Sequence, residues 1–173
     1  MRGKKIAVLG IIALVVLLGA IGPMSDKQVI LFFHLEGDQA SLTKVKLREA
    51  PYKPPRGGYA GTYKLKVYGI EYGGCIPHRK LVYEKKFFDP TLMFWDEADP
   101  ETGRIVDGGQ IHQDPADFME VIPYMPGARW VHLYRQEVDT QQEPPETYNK
   151  LLGIITLPPE DQWEVVEYKG VKK

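Results

Sequence analysis

The sequence predicts an all-β fold, an immunoglobulin-like antiparallel β-sandwich, carried behind an N-terminal transmembrane or signal helix. Three observations predict it. Residues 6–21 (IAVLGIIALVVLLGAI) are an uncharged apolar run preceded by Arg2, Lys4 and Lys5. From Gln28 onward, apolar side chains recur with the period of two that a half-buried strand requires, not with the 3.6 of a helix face. The 14 prolines and 17 glycines are spread along the chain, as they are where tight turns join many short strands.

The first segment comes first in the argument because it sets location. Basic residues on the N-terminal flank hold that end in the cytoplasm, so the chain beyond is expected outside it. The run is slightly short for a bilayer span and slightly long for a signal h-region. Ala20 and Gly22 offer small residues for cleavage, but Pro23 would follow the scissile bond. Residues 1–24 are therefore read as a membrane anchor, or as a signal peptide if cleaved, leaving the protein tethered or secreted.

The sandwich is expected over residues 25–136. Residues 29–34 (VILFFH) read as a buried strand, and Glu36-Gly37-Asp38 turns the chain. Thr43, Val45 and Leu47 alternate with Lys44, Lys46 and Arg48, giving a strand with one wet face. After a loop rich in proline and glycine, Tyr63, Leu65 and Val67 alternate with Lys64, Lys66 and Tyr68. Residues 80–88 (KLVYEKKFF), 118–122 and 130–134 continue the pattern, the last two separated by a turn at residues 123–127 (PYMPG). Tyr63, Leu65, Val67, Val131 and Leu133 are predicted to point into one core. Residues 89–117 are long and polar with one aromatic knot, and read as an elaborated loop or extra hairpin.

Residues 137–173 form a C-terminal extension. Beyond a polar stretch, Leu151, Leu152, Ile154, Ile155 and Leu157 make an apolar patch bounded by Pro144-Pro145 and Pro158-Pro159. Left in water such a run invites edge-to-edge association. It is expected to dock on a neighbouring chain as an interaction arm, with return to the sandwich as an added strand as the alternative.

Several of these segments resemble the N-terminal β-sandwich module of secreted IgA-peptidase-type zinc metallopeptidases. The residues concerned are Phe32-Phe33-His34 with Gly37-Asp38, Gly61 through Tyr68 (GTYKLKVY), and Lys80-Leu81-Val82-Tyr83 with Phe87-Phe88. Trp95 with Glu97, and Ile122-Pro123-Tyr124 with Pro126 ahead of residues 130–134, complete the resemblance. It implies a sandwich ending in a hairpin with an apolar-Pro-aromatic turn. It implies no catalysis, because the sequence has no His-Glu-x-x-His motif.

Composition and motifs narrow the chemistry. Formal net charge is -1, and without the three basic residues at positions 2, 4 and 5 the rest carries 19 basic against 23 acidic side chains, which opposes a nucleic-acid surface. Cys75 is the only cysteine, and His34, His78, His112 and His132 are scattered, so no transition-metal site or other cofactor is expected. Only Ser25 and Ser41 are serines, and neither sits in a nucleophile motif. Asp96, Asp99, Glu101 and Asp107 are the one candidate set for a hard cation such as calcium, though they lack EF-hand spacing. Tyr52, Tyr59, Tyr68 and Tyr72 are the candidate ligand-binding patch, each ring offering an apolar face and a polar tip. The expectation is a non-enzymatic accessory or structural subunit of a membrane or surface assembly, with a protein partner. The alternative is a free-standing carbohydrate- or surface-binding domain.

Overall fold

Alternating side chains become ten β-strands and one 3-10 turn in the computed structural model, which describes residues 25–54, 61–73 and 76–166. The expected N-terminal helix lies outside these residues, and among them no helix is long and apolar enough to cross a membrane. The strands are β1 (Gln28–Glu36), β2 (Gln39–Arg48), β3 (Tyr63–Gly73), β4 (Ile76–Phe87), β5 (Leu92–Ala98), β6 (Ile105–His112), β7 (Ala116–Pro123), β8 (Ala128–Asp139), β9 (Glu146–Thr156) and β10 (Glu164–Val166). One sheet has the order β10-β2-β1-β7, a second β4-β3-β8-β9, and β5 and β6 form a separate ribbon. Every pairing is antiparallel except that of β10 with β2.

The inner faces of the two four-stranded sheets share one core. Leu65 lies opposite Leu133 and Val67 opposite Val131, and all four are 0% exposed. Tyr63 joins them, so the five residues that the alternation assigned to the core are buried together. The other sheet supplies Val29, Leu31, Phe33, Leu35, Val45 and Ile122. Aromatic rings span the gap: Phe118 stacks 5.2 Å from Phe33 and 5.7 Å from Phe87. Burial of this kind is the main stabilising term, at about 25 cal/mol per Å² of apolar surface.

Two expectations are corrected. First, β7 and β8 do not form a hairpin across residues 123–127. β7 pairs with β1 in one sheet and β8 with β3 and β9 in the other, so this turn carries the chain between sheets. Second, a boundary at residue 136 would cut β8, which runs to Asp139, and residues 146–166 are no appendage. β9 pairs along β8 from Trp130↔Thr156 to Asp139↔Glu146. Leu152, Leu157 and Trp163 enter the core, and Trp163 donates its indole N–H to the Pro158 carbonyl over 2.9 Å. Gly153 permits the fit: a Cβ there would stand 2.7 Å from the Ala40 carbonyl oxygen, so only a bare α-carbon lets β9 pass β2. Leu152 and Leu157 of the apolar run are covered by their own domain, and the polar residues before it form the β8–β9 connection.

Lys85 and Glu120 tie the sheets together at the edge of the core. Lys85 on β4 is 8% exposed, pairs with Glu120 on β7 and donates to the Val121 carbonyl over 3.1 Å. Burial pushes the Glu120 carboxyl above its usual range, and the ammonium only partly offsets this. A raised carboxyl pKa means that ionised Glu120 opposes folding as pH rises through it, so its partner matters most when it is charged. Lys85→Met is expected to cost about 3–5 kcal/mol at neutral pH by stranding a buried carboxylate. Urea denaturation should show that loss shrinking toward acid pH, where Glu120 takes up a proton.

The two ends of the sandwich differ. At one, Gln28 pairs with both Pro123 and Arg48, and Val166 of β10 lies beside Arg48, so the described chain enters and leaves together. Here the β3–β4 hairpin overshoots the sheet. β8 begins with Ala128 opposite Gly69, and the residues beyond Gly69 pair only with residues 76–79. At the other end sit Gly37, Asp38 and the root of the β5–β6 ribbon.

Candidate functional site

The β5–β6 ribbon is built from its root outward. The Thr91 amide and hydroxyl both donate to Asp89 Oδ1, over 2.9 and 2.7 Å. Gln113 N–H reaches the Thr91 carbonyl at 2.7 Å, and the Gly37 amide donates to Asp114 Oδ1 at 2.9 Å. These bonds fasten the ribbon to the sandwich. Beyond them its strands pair with each other alone. Met93 lies opposite Ile111 and Phe94 opposite Gln110, and the two pairs face opposite sides. Phe94 is 72% exposed, Ile105 65%, Val106 63% and Ile111 54%. Trp95 folds across the ribbon onto Gly109, where a Cβ would meet its indole nitrogen at 2.9 Å. An isolated two-stranded ribbon is marginal in water, and this one shows apolar side chains on both faces.

Its apex holds the four carboxylates considered for calcium. Asp99 caps the turn, accepting from the Glu101 and Thr102 amides at 2.8 and 3.2 Å. Those N–H groups hold its carboxyl below the usual range. Asp107 accepts from the Gly108 amide at 2.8 Å. Among the described residues, no three His, Cys, Asp or Glu side chains converge where one ion could sit. Asp96 lies on β5 and Asp107 on β6, not in a loop, and Asp99 is occupied by its own turn.

Among the described residues, Tyr52, Tyr68 and Tyr72 do not form one patch. Tyr52 tucks against the core rim, its hydroxyl 2.7 Å from that of Tyr83. Tyr72 stands at the overshooting end of β3, and Tyr59 lies outside the described residues. Tyr68 belongs to a cluster on the outer face of the β4-β3-β8-β9 sheet. There Tyr68 packs 4.4 Å from the His132 ring, His132 Nδ1 lies 3.1 Å from the Tyr134 hydroxyl, and Arg79 sits 4.6 Å over Trp130. The rings bury His132 to 8% exposure, and that burial, with Arg79 and Lys66 nearby, lowers its pKa. Sequence reasoning missed this cluster. Its signal was available: Trp130, His132 and Tyr134 occupy successive positions on the phase of β8 that the core does not use.

Compared with family models, curated proteins and solved structures, the chain finds no match. Its function has to be argued from its own surface.

The tail residues divide by face. Leu152 and Leu157 are core and Ile155 packs against it, whereas Leu151 and Ile154 point outward. Beside Ile154 the open edge of β2, residues 40–45, borders a shallow groove with residues 154–159. β10 covers β2 only at residues 46–48.

Proposed function

We propose that this chain is a non-catalytic β-sandwich module facing outside the cytoplasm, tethered by residues 1–24 or secreted if they are removed. It serves as an accessory or structural subunit of a membrane or surface assembly. One observation carries this reading: the β5–β6 ribbon projects from the sandwich with large apolar side chains uncovered on both faces. Residues 92–112 hold five carboxylates and a single arginine, Arg104, so the surface that receives the ribbon should be apolar and basic.

The immunoglobulin-like label belongs to the same proposal. In its support, the order β4-β3-β8-β9 sets two hairpins side by side in one sheet, as the GFC sheet of variable domains does. In the other sheet the order departs, since β1 and not β2 lies beside β7. The resemblance to the peptidase module rests on its sequence motifs, and the closing hairpin it implied is absent.

The test replaces residues 92–112 of the full chain with a short Gly-Ser linker. The melting temperature should change little, because the ribbon's strands pair only with each other. Proteins that co-purify from membranes with the intact chain should be lost. Unchanged recovery would overturn the ribbon's role. Glycan retention insensitive to the ribbon but lost on Tyr68→Ala or Trp130→Ala would favour the carbohydrate-binding alternative.

A further inference from the structure

We infer that the overshooting end of the β3–β4 hairpin lies in the headgroup layer of a lipid bilayer, beside the segment that anchors the chain. The inference rests on the reading of residues 6–21 as an uncleaved membrane anchor.

Geometry makes the first argument. The described chain enters at the end of the sandwich where Gln28 pairs with Pro123, and the amides of Tyr52 and Tyr124 bond to the Ser25 and Lys27 carbonyls there, each over 3.0 Å. Ile21, the last residue of the apolar run, precedes Ser25 by four positions, and a span of that length reaches at most about 14 Å when extended. A tether so short holds this end of the sandwich close to the bilayer surface. The hairpin overshoots at the same end. A Cβ on Gly69 would lie 3.2 Å from the Gly127 carbonyl oxygen, so Gly69 is level with the turn that follows β7. The four residues from Ile70 to Gly73 continue past it, which at about 3.3 Å per residue adds about 13 Å. The overshoot is about as long as the farthest the tether can reach, so the hairpin end extends to the headgroups.

Its chemistry suits that layer. Tyr72 is 75% exposed and Ile76 73%, and they sit on opposite faces of the hairpin, with Ile70 on the side of Tyr72. Apolar groups on both sides fit a medium that surrounds the hairpin, and a tyrosine ring with its polar tip favours the interface between water and hydrocarbon. Arg79 and Lys80 stand at the root of the overshoot, opposite Ile70 and Gly69, and put positive charge on the side that faces anionic lipid. Glu71, the acid among residues 70–73 of the hairpin, lies against Lys80 and, at 3.3 Å, His78. The other exposed ribbon differs in this respect: the carboxylates of β5–β6 would be repelled by the same lipids.

The experiment uses the full chain carrying Tyr72→Trp in vesicles of phosphatidylcholine and phosphatidylglycerol, with the unsubstituted chain measured in parallel to subtract Trp95, Trp130 and Trp163. Flotation is scored first. Then the added emission is compared between ordinary vesicles and vesicles of brominated lipid. With the bromines placed near the top of the acyl chains, they should quench it, as expected for an indole at the boundary of headgroups and hydrocarbon. Adding Ile76→Asp should abolish that quenching while flotation persists. A floating protein whose added tryptophan is insensitive to bromine and open to aqueous iodide overturns the inference and leaves the anchor standing. Insensitivity to both bromine and iodide places a protein neighbour over the hairpin and also overturns it. Failure to float overturns the anchor and the inference together.

Discussion

Leu133→Asp is expected to abolish the cooperative melt of the domain. Leu133 is 0% exposed, opposite Leu65 on β3 and Gly153 on β9, at the centre of the four-stranded sheet. The substitution removes a buried side chain worth about 2–3 kcal/mol of burial and puts a carboxylate among the apolar side chains of the core. An unpaired buried polar group adds several kcal/mol more, and domains of this size hold only about 5–15 kcal/mol in reserve. Circular dichroism and limited proteolysis should report an unfolded chain at all temperatures. A two-state transition near that of the unsubstituted protein would mean that the register of β8 is wrong.

Truncation after Gln136 is expected to have the same outcome. It would shorten β8, delete β9 and β10, and remove Leu152, Leu157 and Trp163 from the core. Three such side chains at about 1.5–3 kcal/mol each approach the whole stability of a domain. It also takes Lys150, which pairs with Asp38, and Glu164, which pairs with Lys44 and with Lys46. These exposed ion pairs add little, so the loss is one of burial. The truncated chain should expose apolar surface to dye and give no sharp transition. A truncated protein that melts like the full one would restore the interaction-arm reading of residues 137–173.

What the sequence made legible was the local pattern. β3 and β8 could be read from alternation, and the phase that buries Leu65 and Val131 follows from it directly. Partner choice could not be read. Nothing in residues 116–123 says that they pair with residues 28–35 and not with β8, because pairing across such separations depends on which surfaces meet in three dimensions. The tail was misjudged for a related reason. Residues 151–157 look uniformly apolar, and only the pairing with β8 shows Leu152 turning inward while Leu151 and Ile154 turn out. Lys85 shares the phase of Tyr83 and Phe87, so the alternation of β4 already places it on the core side. The site was less legible than the fold. The alternation that identifies strands does not say whether a ribbon such as β5–β6 will find a sheet to lie on.

The parallel pairing of Glu164, Val165 and Val166 with Lys46, Leu47 and Arg48 has a kinetic consequence. β2 is synthesised well before β10, so the first sheet stays incomplete until residues 164–166 have left the ribosome. The hairpins β1–β2 and β3–β4 can form early, but the contacts that close the core join distant stretches of chain, and loop closure over such distances slows folding. A nascent chain halted before Trp163 therefore displays the β2 edge and the apolar faces of two hairpins together. Until Trp163 and β10 dock, that apolar surface is open to chaperones and proteases, and the last dozen described residues close it.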